Sequence, residues 1–211
     1  MTITAAADGS ALGNPGPAGW AWYVNDDCWA AGGWKHATNN QGELRAVIEL
    51  FQSTAHRPDD LHVLCDSQYV INAVTKWMPG WKKKGWRKAD GQPVMNLELL
   101  QELDAAIAAR HYRFEWVRGH IGHPLNEAAD TRARGAAEAF QRGAEPDAGP
   151  GFPGATSQAP GRVPVSRPEA PSLFRLDTPL TLDLSATERE RLESRAAAAG
   201  VSVEEFLRGL I

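Results

Sequence analysis

Cysteine is scarce in this 211-residue chain, which has only Cys28 and Cys65. Two cysteines cannot form the disulfide framework of a small secreted domain, and they fit a reducing compartment. A basic-then-apolar leader and an apolar run long enough to cross a bilayer are also lacking, so we expect a cytoplasmic protein without a membrane partner. The formal net charge is only −4. It gives no overall attraction to nucleic acid, although a local basic patch can outweigh the sum.

Proline is sparse in most of the chain and concentrated in one part of it. Eight of the 14 prolines lie between Pro146 and Pro179, mixed with glycine, alanine and serine. Such a segment buries too little apolar surface to fold alone, and we predict a disordered linker over residues 144–172. The linker separates a domain over residues 1–143 from a short patterned tail over residues 173–211.

The first 143 residues have the patterns of a mixed α/β domain. Two strands joined by a turn at residues 25–27 come early, and a capping box of Thr38 and Gln41 precedes a helical apolar stripe in "ELRAVIELF". Later patterns predict a buried strand in "LHVLC", helices in "SQYVINAVTKW" and "NLELLQELDAAIA", a half-exposed strand in "HYRFEWV" and a last helix in "NEAADTRARGAAEAF". Hairpin strands followed by strands alternating with helices indicate a mixed sheet with helices packed on it.

Four carboxylates, each from a different predicted element, form a candidate metal site. Asp66 directly follows the strand "LHVLC", at the sheet edge where ligands usually bind. Asp8 is expected to end the first strand, Glu43 to lie in the first turn of its helix and Asp130 to lie early in the last helix. Like charges that converge must be neutralised, and magnesium, a hard cation that prefers oxygen ligands, is suited to that role.

A purely structural interpretation exists for two of these acids. An aspartate after a strand often serves as a helix N-cap, which would explain Asp66. A glutamate in the first helical turn interacts favourably with the helix dipole, which would explain Glu43. The spacing of the acids along the chain does not decide between convergence and these local roles.

Five blocks carry a resemblance to a known family. They occur in this order: "DGSALGNPGPAGW", "TNNQGELRAVIEL", "CDSQYVINAVTKW", "GWKKKGWRKADGQPVMN" and "WVRGHIGHPLNEAADTRA". Together they resemble the bacterial type 1 ribonuclease H over residues 1–143. The resemblance implies a ribonuclease H-like five-stranded mixed sheet flanked by helices. It also implies cleavage of the RNA strand of RNA–DNA hybrids with two Mg²⁺ ions, for which Mn²⁺ can substitute.

The resemblance also implies roles for individual residues. The four carboxylates would be the metal ligands, with Asp8 bridging the two ions, and His120 in "GHIGH" would be the catalytic histidine on a mobile loop, with His123 as the other candidate. Two departures, Ala7 in place of the usual Thr and Gly42 in place of a bulkier residue, remove no ligand. The implied substrate-binding residues are Asn14, Thr38, Asn39, Asn40, Gln68, Trp81, Lys82, Lys83, Lys84 and Asn96.

The segment "KWMPGWKKKGWRK" is a candidate nucleic-acid contact. It contains six basic residues without an intervening acid, and its tryptophans are Trp77, Trp81 and Trp86. Basic side chains mixed with aromatic rings suit a groove that follows phosphates and offers a flat ring to a sugar. In the family the segment is a protruding basic handle, and Trp81 would contact the DNA strand. A solvated basic loop with tryptophans in the core, Trp77 above all, is the alternative.

The tail has a pattern of its own. "LTLDL" alternates like a strand, and two capping boxes precede helical segments, an order that resembles ribbon-helix-helix modules. Asp183 in the strand would repel phosphate, so we expect the tail to dimerise or to dock a protein partner rather than to bind DNA. A helical hairpin packed on a monomeric catalytic domain is the other interpretation.

Three other functions are compatible with parts of the sequence. The chain could be a hybrid-binding protein that has lost catalysis, although all five catalytic positions are filled. It could be a DNA-binding regulator that acts through the tail. It could also be another metal nuclease of similar fold, although the basic handle and "GHIGH" argue against that assignment.

Overall fold

The computed structural model describes residues 1–119 and 122–155 of the chain. The strands are β1 Thr2–Ala11, β2 Gly16–Asn25, β3 Cys28–Ala37, β4 Asp60–Cys65 and β5 Tyr112–Trp116. The helices are α1 Asn39–Ser53, α2 Gln68–Asn72, α3 Met78–Lys83, α4 Leu97–Ile107 and α5 Pro124–Gln141, with a π-helical turn, Ala73–Trp77, between α2 and α3. Within these residues, none of the helices combines the length and the apolar character that a membrane span needs.

The five strands form one mixed sheet in the order β3-β2-β1-β4-β5. The antiparallel pairs β1–β2 and β2–β3 form one half, and the parallel pairs β1–β4 and β4–β5 form the other. This arrangement confirms the predicted five-stranded mixed sheet. The first strand is central in it and has a partner on each side.

The expectation that Asp8 ends the first strand is wrong. β1 continues to Ala11, because antiparallel pairing with β2 persists through Asp8↔Ala21 to Ala11↔Ala18. Pairing between β1 and β4 stops earlier, at Ala6↔Leu64. Asp8 therefore lies just beyond the point where β1 and β4 separate, and the separation opens a crevice at the carboxyl end of the parallel strands.

Helices cover the two faces of the sheet, and alternate residues of β1 point to different layers. Ala5 and Ala7 belong to the large core cluster with apolar residues of α1 and α4. Ala6 contacts the other layer, in a cluster that contains Ala129 of α5. α1 begins at the predicted capping box, in which the Thr38 hydroxyl accepts from the backbone of Gln41.

The start of α1 lies against β1 because Gly9 has no side chain. A Cβ built on Gly9 would overlap the backbone nitrogen of Glu43 and would lie 2.9 Å from the Cα of Gly42. A Cβ built on Gly42 would lie 2.7 Å from the carbonyl oxygen of Gly19. The departure from the family pattern at Gly42 is therefore a packing feature, which brings the helix that carries Glu43 close to the strand that carries Asp8.

The structure corrects the predicted start of the linker. Residues 144–155 follow α5 back onto β3, where the Ala31 N–H donates to the carbonyl of Ala148 and the Gly151 N–H donates to that of Trp29. Phe152 packs against the rings of Trp22 and His56. We call residues 144–155 the strap. Its composition, rich in glycine and proline, is typical of a linker. The packing of Phe152 and the backbone hydrogen bonds to β3 nevertheless fix the strap on the domain. Residues 156–172 and the tail lie outside the described residues.

We predict that Phe152→Ala lowers the melting temperature of the domain. Replacing this half-buried ring removes contacts worth about 2 kcal/mol, which corresponds to roughly 4–8 °C. Circular dichroism melts of the full chain measure the effect. Glu145→Ala, at an exposed strap position, is the matched control and should melt like the parent. Equal melting temperatures for all three proteins would contradict a stabilising strap.

Candidate active site

Three of the four predicted carboxylates converge in the crevice between β1 and β4. Asp8, Glu43 and Asp66 each place a carboxylate oxygen within 4.8 Å of the others. They come from the centre of β1, the start of α1 and the residue after β4. Asp8 and Glu43 are buried, whereas Asp66 is half-buried.

Asp8 and Glu43 are fixed by short polar contacts. The Gly9 N–H donates to Asp8 Oδ1 at 2.7 Å, and Asn39 Nδ2 donates to Glu43 Oε1 at 3.2 Å. Within the described part of the chain, Glu43 Oε2 is buried without a hydrogen-bond partner. The first turn of α1 contains no acidic residue, so Glu43 lies one turn deeper than the sequence suggested. A favourable interaction with the helix end therefore does not explain its burial.

Asp66 is not a helix N-cap. Ser67 takes that position at the start of α2, with its hydroxyl accepting from the Val70 N–H. The Asp66 carbonyl accepts a hydrogen bond from the Trp116 indole at 3.1 Å. Its carboxylate lies against Gly119, where an added Cβ would overlap Oδ2. These contacts direct the Asp66 side chain towards Asp8 and Glu43.

Asp130 lies in α5, on the opposite layer from α1, and is half-buried. It is not one of the three residues whose oxygens fall within 4.8 Å of one another. Its charge nevertheless acts on Asp8 and raises the pKa of that carboxyl. Asp130 therefore acts on the cluster electrostatically but is not one of the three acids whose oxygens converge.

The acids are electrostatically unfavourable as they stand. Burial, then the charges of Asp66 and Asp130, raise the pKa of Asp8 to about 8. Burial and the charges of Asp8 and Asp66 raise the pKa of Glu43 well above its usual value. A divalent cation would relieve this repulsion and would give the unpartnered Glu43 Oε2 a ligand bond. The donor set, entirely carboxylate oxygen, fits magnesium or manganese.

The two histidine candidates differ in what the structure describes. His120 lies outside the described residues, so its role stays a prediction. His123 occupies the N-cap position of α5 without making a side-chain capping bond. Its Nδ1 is buried and has no hydrogen-bond partner among the residues that the structure describes.

The predicted amide contacts cluster at the start of α1. Asn14 Oδ1 accepts from the Asn39 N–H at 3.2 Å, so the loop after β1 is joined to α1 beside Glu43. Asn14 and Asn40 are exposed, as is Gln68 at the start of α2. These amides lie on elements that border the acidic crevice.

The two residues predicted to form a phosphate pocket have partners within the chain. The Thr38 side chain takes part in the capping box of α1. Asn96 precedes α4 with a left-handed backbone, φ 56°, and its Nδ2 donates to the Tyr69 hydroxyl at 3.2 Å. Short polar groups of this kind at helix starts can position a phosphate without reading sequence.

The basic segment exposes one of its three tryptophans, because Trp81 and Trp86 are partly buried against the main hydrophobic core. Trp77 is 39% exposed and its ring lies 5.6 Å from that of Trp81 and 6.1 Å from that of Tyr69. The alternative that Trp77 is a core residue is therefore wrong. Lys83 and Lys84 are exposed. Lys82 differs from them, because its amine is paired with Asp104 of α4 at 2.7 Å.

Sequence reasoning missed three residues around the site: Trp116, Gly119 and Asp104. Trp116, at the end of the predicted strand in "HYRFEWV", is 50% exposed and its indole donates to the Asp66 carbonyl. A signal was present, because a parallel strand that follows β4 in the sheet must end beside the residue after "LHVLC". Gly119 had no signal beyond its position next to the predicted loop.

Comparisons with known proteins agree with this geometry. A sequence model described as RNase H matches residues 1–138. The chain is 53% identical over 150 residues to a protein named ribonuclease H from Tropheryma whipplei, covering 71% of this chain and 93% of the relative.

Two solved ribonuclease H structures align with this chain. LC9-RNase H1, described as a type 1 RNase H with the type 2 active-site motif, aligns with a TM-score of 0.56 and 30% identity over 66% of this chain and 74% of that one. The N-terminal RNase H domain of rv2228c from Mycobacterium tuberculosis aligns with a TM-score of 0.52 and 25% identity, covering 67% and 97%.

We predict that Asp8 makes the metal-free domain less stable as the pH rises. Because its folded-state pKa is about 8 and its unfolded value is near 4, folding retains a proton that the unfolded chain loses between these pH values. Asp8→Asn should therefore melt roughly 10 °C or more above the parent at pH 8.5 in EDTA, with a much smaller difference in melting temperature at pH 5.

Two further melts complete this test. Asp60→Asn, at an exposed position, should show no such pH-dependent difference in melting temperature from the parent. Added Mg²⁺ should raise the melting temperature of the parent at pH 8.5. If Asp8→Asn and the parent differed in melting temperature by the same amount at both pH values, the claim that the acids repel one another would be contradicted.

We predict that Gly119→Ala weakens metal binding because the new Cβ displaces the Asp66 carboxylate. Mn²⁺ affinity, measured by titration calorimetry, should fall roughly tenfold. Gly135→Ala is the control, since a Cβ there meets open space. Parental affinity in Gly119→Ala would show that Asp66 is not held by this contact.

Proposed function

The chain belongs to the ribonuclease H family, and on that premise we propose that it is an endonuclease that hydrolyses the RNA strand of RNA–DNA hybrids. The products would carry a 5′-phosphate and a 3′-hydroxyl. One observation supports this proposal above the others: Asp8, Glu43 and Asp66 bring carboxylate oxygens within 4.8 Å of one another. A cluster this close in a buried setting favours a divalent cation over any local structural role.

We assign the metal ligands as follows. Asp8 would bridge two ions, Glu43 and Asp66 would bind on one side, and Asp130 would bind on the other. This assignment suits Asp130, which acts on Asp8 electrostatically but stands apart from the three-residue cluster. When bound, a pair of Mg²⁺ or Mn²⁺ ions supplies an activated water and stabilises the departing 3′ oxygen.

The chain's own residues would orient the reaction. The Gly9 N–H and the Asn39 amide hold Asp8 and Glu43 in place, so little rearrangement is needed when substrate binds. Trp116 and Gly119 hold Asp66 from the other side of the crevice. His120 would transfer a proton at the scissile phosphate or assist product release.

Strand choice would depend on the amides that border the crevice. The 2′-hydroxyl distinguishes RNA from DNA and is both a donor and an acceptor. Asn14, Asn39, Asn40 and Gln68 carry amides that can pair with such groups. The proposed pocket for a DNA phosphate consists of Thr38 and Asn96, through polar groups that carry no sequence information.

The basic handle, residues 76–88, would hold the DNA strand of the hybrid. Trp81 offers a ring supported by Trp77, and the exposed lysines supply positive charge for phosphates. Within a chain of net charge −4, this local patch is what would attract nucleic acid. The tail stays a predicted module for dimerisation or partner docking.

We predict that Asp66→Asn lowers cleavage of an RNA–DNA hybrid in Mg²⁺ by roughly a hundredfold or more. The variant keeps the shape of the side chain but loses an anionic ligand. The assay compares hybrid, duplex DNA and duplex RNA, each labelled on one strand, and identifies the product ends. The parent should cut only the RNA strand of the hybrid.

Asp60→Asn, at the opposite end of β4, is the matched control and should cleave like the parent. An Asp66→Asn variant as fast as the parent would end the metal assignment. A parent that binds hybrid but cleaves nothing would favour the silent binding protein, and cleavage of duplex DNA would favour another metal nuclease.

A further inference from the structure

Lys82 differs in its surroundings from the two lysines that follow it. Its Nζ lies 2.8 Å from Asp104 Oδ1 and 2.7 Å from Asp104 Oδ2, so the amine contacts both oxygens of one carboxylate. The described residues place no carboxylate within ion-pair distance of Lys83 or Lys84. One of the three consecutive lysines is therefore neutralised within the chain.

The direction of the side chains supports the same distinction. Trp81 is partly buried against the main hydrophobic core, and Lys82 is the next residue of α3. Lys84 lies beyond the last residue of α3, at its C-cap position, and is exposed. Lys82 is turned about 100° from Trp81 and reaches α4 instead.

The Lys82–Asp104 pair is accessible to a competing anion. The Lys82 side chain is 50% exposed and that of Asp104 is 26% exposed. Ion pairs at the surface are weak and are screened by salt. A nucleic-acid phosphate, which presents oxygens much as a carboxylate does, can therefore replace Asp104 as the partner of Lys82.

We propose that Asp104 sets the affinity of the handle for nucleic acid. Its carboxylate pairs with Lys82 in place of a backbone phosphate, and this pairing weakens the binding of nucleic acid by the handle. This inference rests on the proposed function. Each phosphate contact adds close to one unit to the dependence of log affinity on log salt. While Asp104 is paired with Lys82, the handle therefore makes one phosphate contact fewer than its three lysines could make.

The test is a double-mutant cycle on the full chain, with KM and kcat for one RNA–DNA hybrid measured between 50 and 200 mM KCl. Asp104→Asn should lower KM roughly threefold at 200 mM and steepen the salt slope by about one, with kcat unchanged. Lys82→Gln should raise KM less than the combined Lys83→Gln and Lys84→Gln variant does, and adding Lys82→Gln to Asp104→Asn should restore the parental KM and slope.

Controls separate the possible causes. Asp60→Asn makes the same change in net charge on another surface and should leave KM unaltered. A raised or unchanged KM in Asp104→Asn would overturn the inference, because the pair would then brace the handle or have no role. A lowered KM that persists in the double variant would also overturn it, since Lys82 would not be the group released.

Failure of the proposed function would look different. Lys83→Gln combined with Lys84→Gln should raise KM and flatten its salt slope, whatever Asp104 does. If that variant also matched the parent, the handle would not bind hybrid at all. If it raised KM while Asp104→Asn had no effect, the handle would still bind hybrid, and only the proposed role of Asp104 would be wrong.

Discussion

Repulsion between buried carboxylates is the constraint around which this domain is organised. Asp8, Glu43 and Asp66 lie within 4.8 Å of one another, and burial together with neighbouring charge raises the pKa of Asp8 to about 8. A fold that kept these groups together for stability alone would gain nothing from the arrangement. The repulsion becomes useful when a divalent cation neutralises it, because the metal then binds where the chain already holds its ligands.

Backbone packing puts the acids in place. β1 continues past the end of β4, so Asp8 lies where the parallel pair separates. Gly9 lets α1 approach β1 closely enough to put Glu43 beside Asp8. On the other side, the indole of Trp116 holds the backbone of Asp66. The site thus depends on strand register and on close contacts, which rigid elements provide better than loops do.

Local signals predicted much of this domain. The capping box and apolar stripe of α1 and the position of Asp66 after a buried strand are short-range features, and the structure agrees with them. Contacts between distant residues were not predictable in the same way. The strap looked like a linker because its packing on β3 depends on Phe152 and on a strand edge far away in sequence. Lys82 looked like its neighbours because Asp104, its partner, lies 22 residues further along the chain.

The central claim is that the three converging acids form one divalent-cation site. Crystals soaked in Mn²⁺ and measured at the manganese absorption edge test it directly, because the anomalous signal locates the ion independently of the protein. We predict an anomalous peak within bonding distance of carboxylate oxygens of Asp8, Glu43 and Asp66. Ordered Mn²⁺ elsewhere on the protein, with no peak among these three side chains, would contradict the claim.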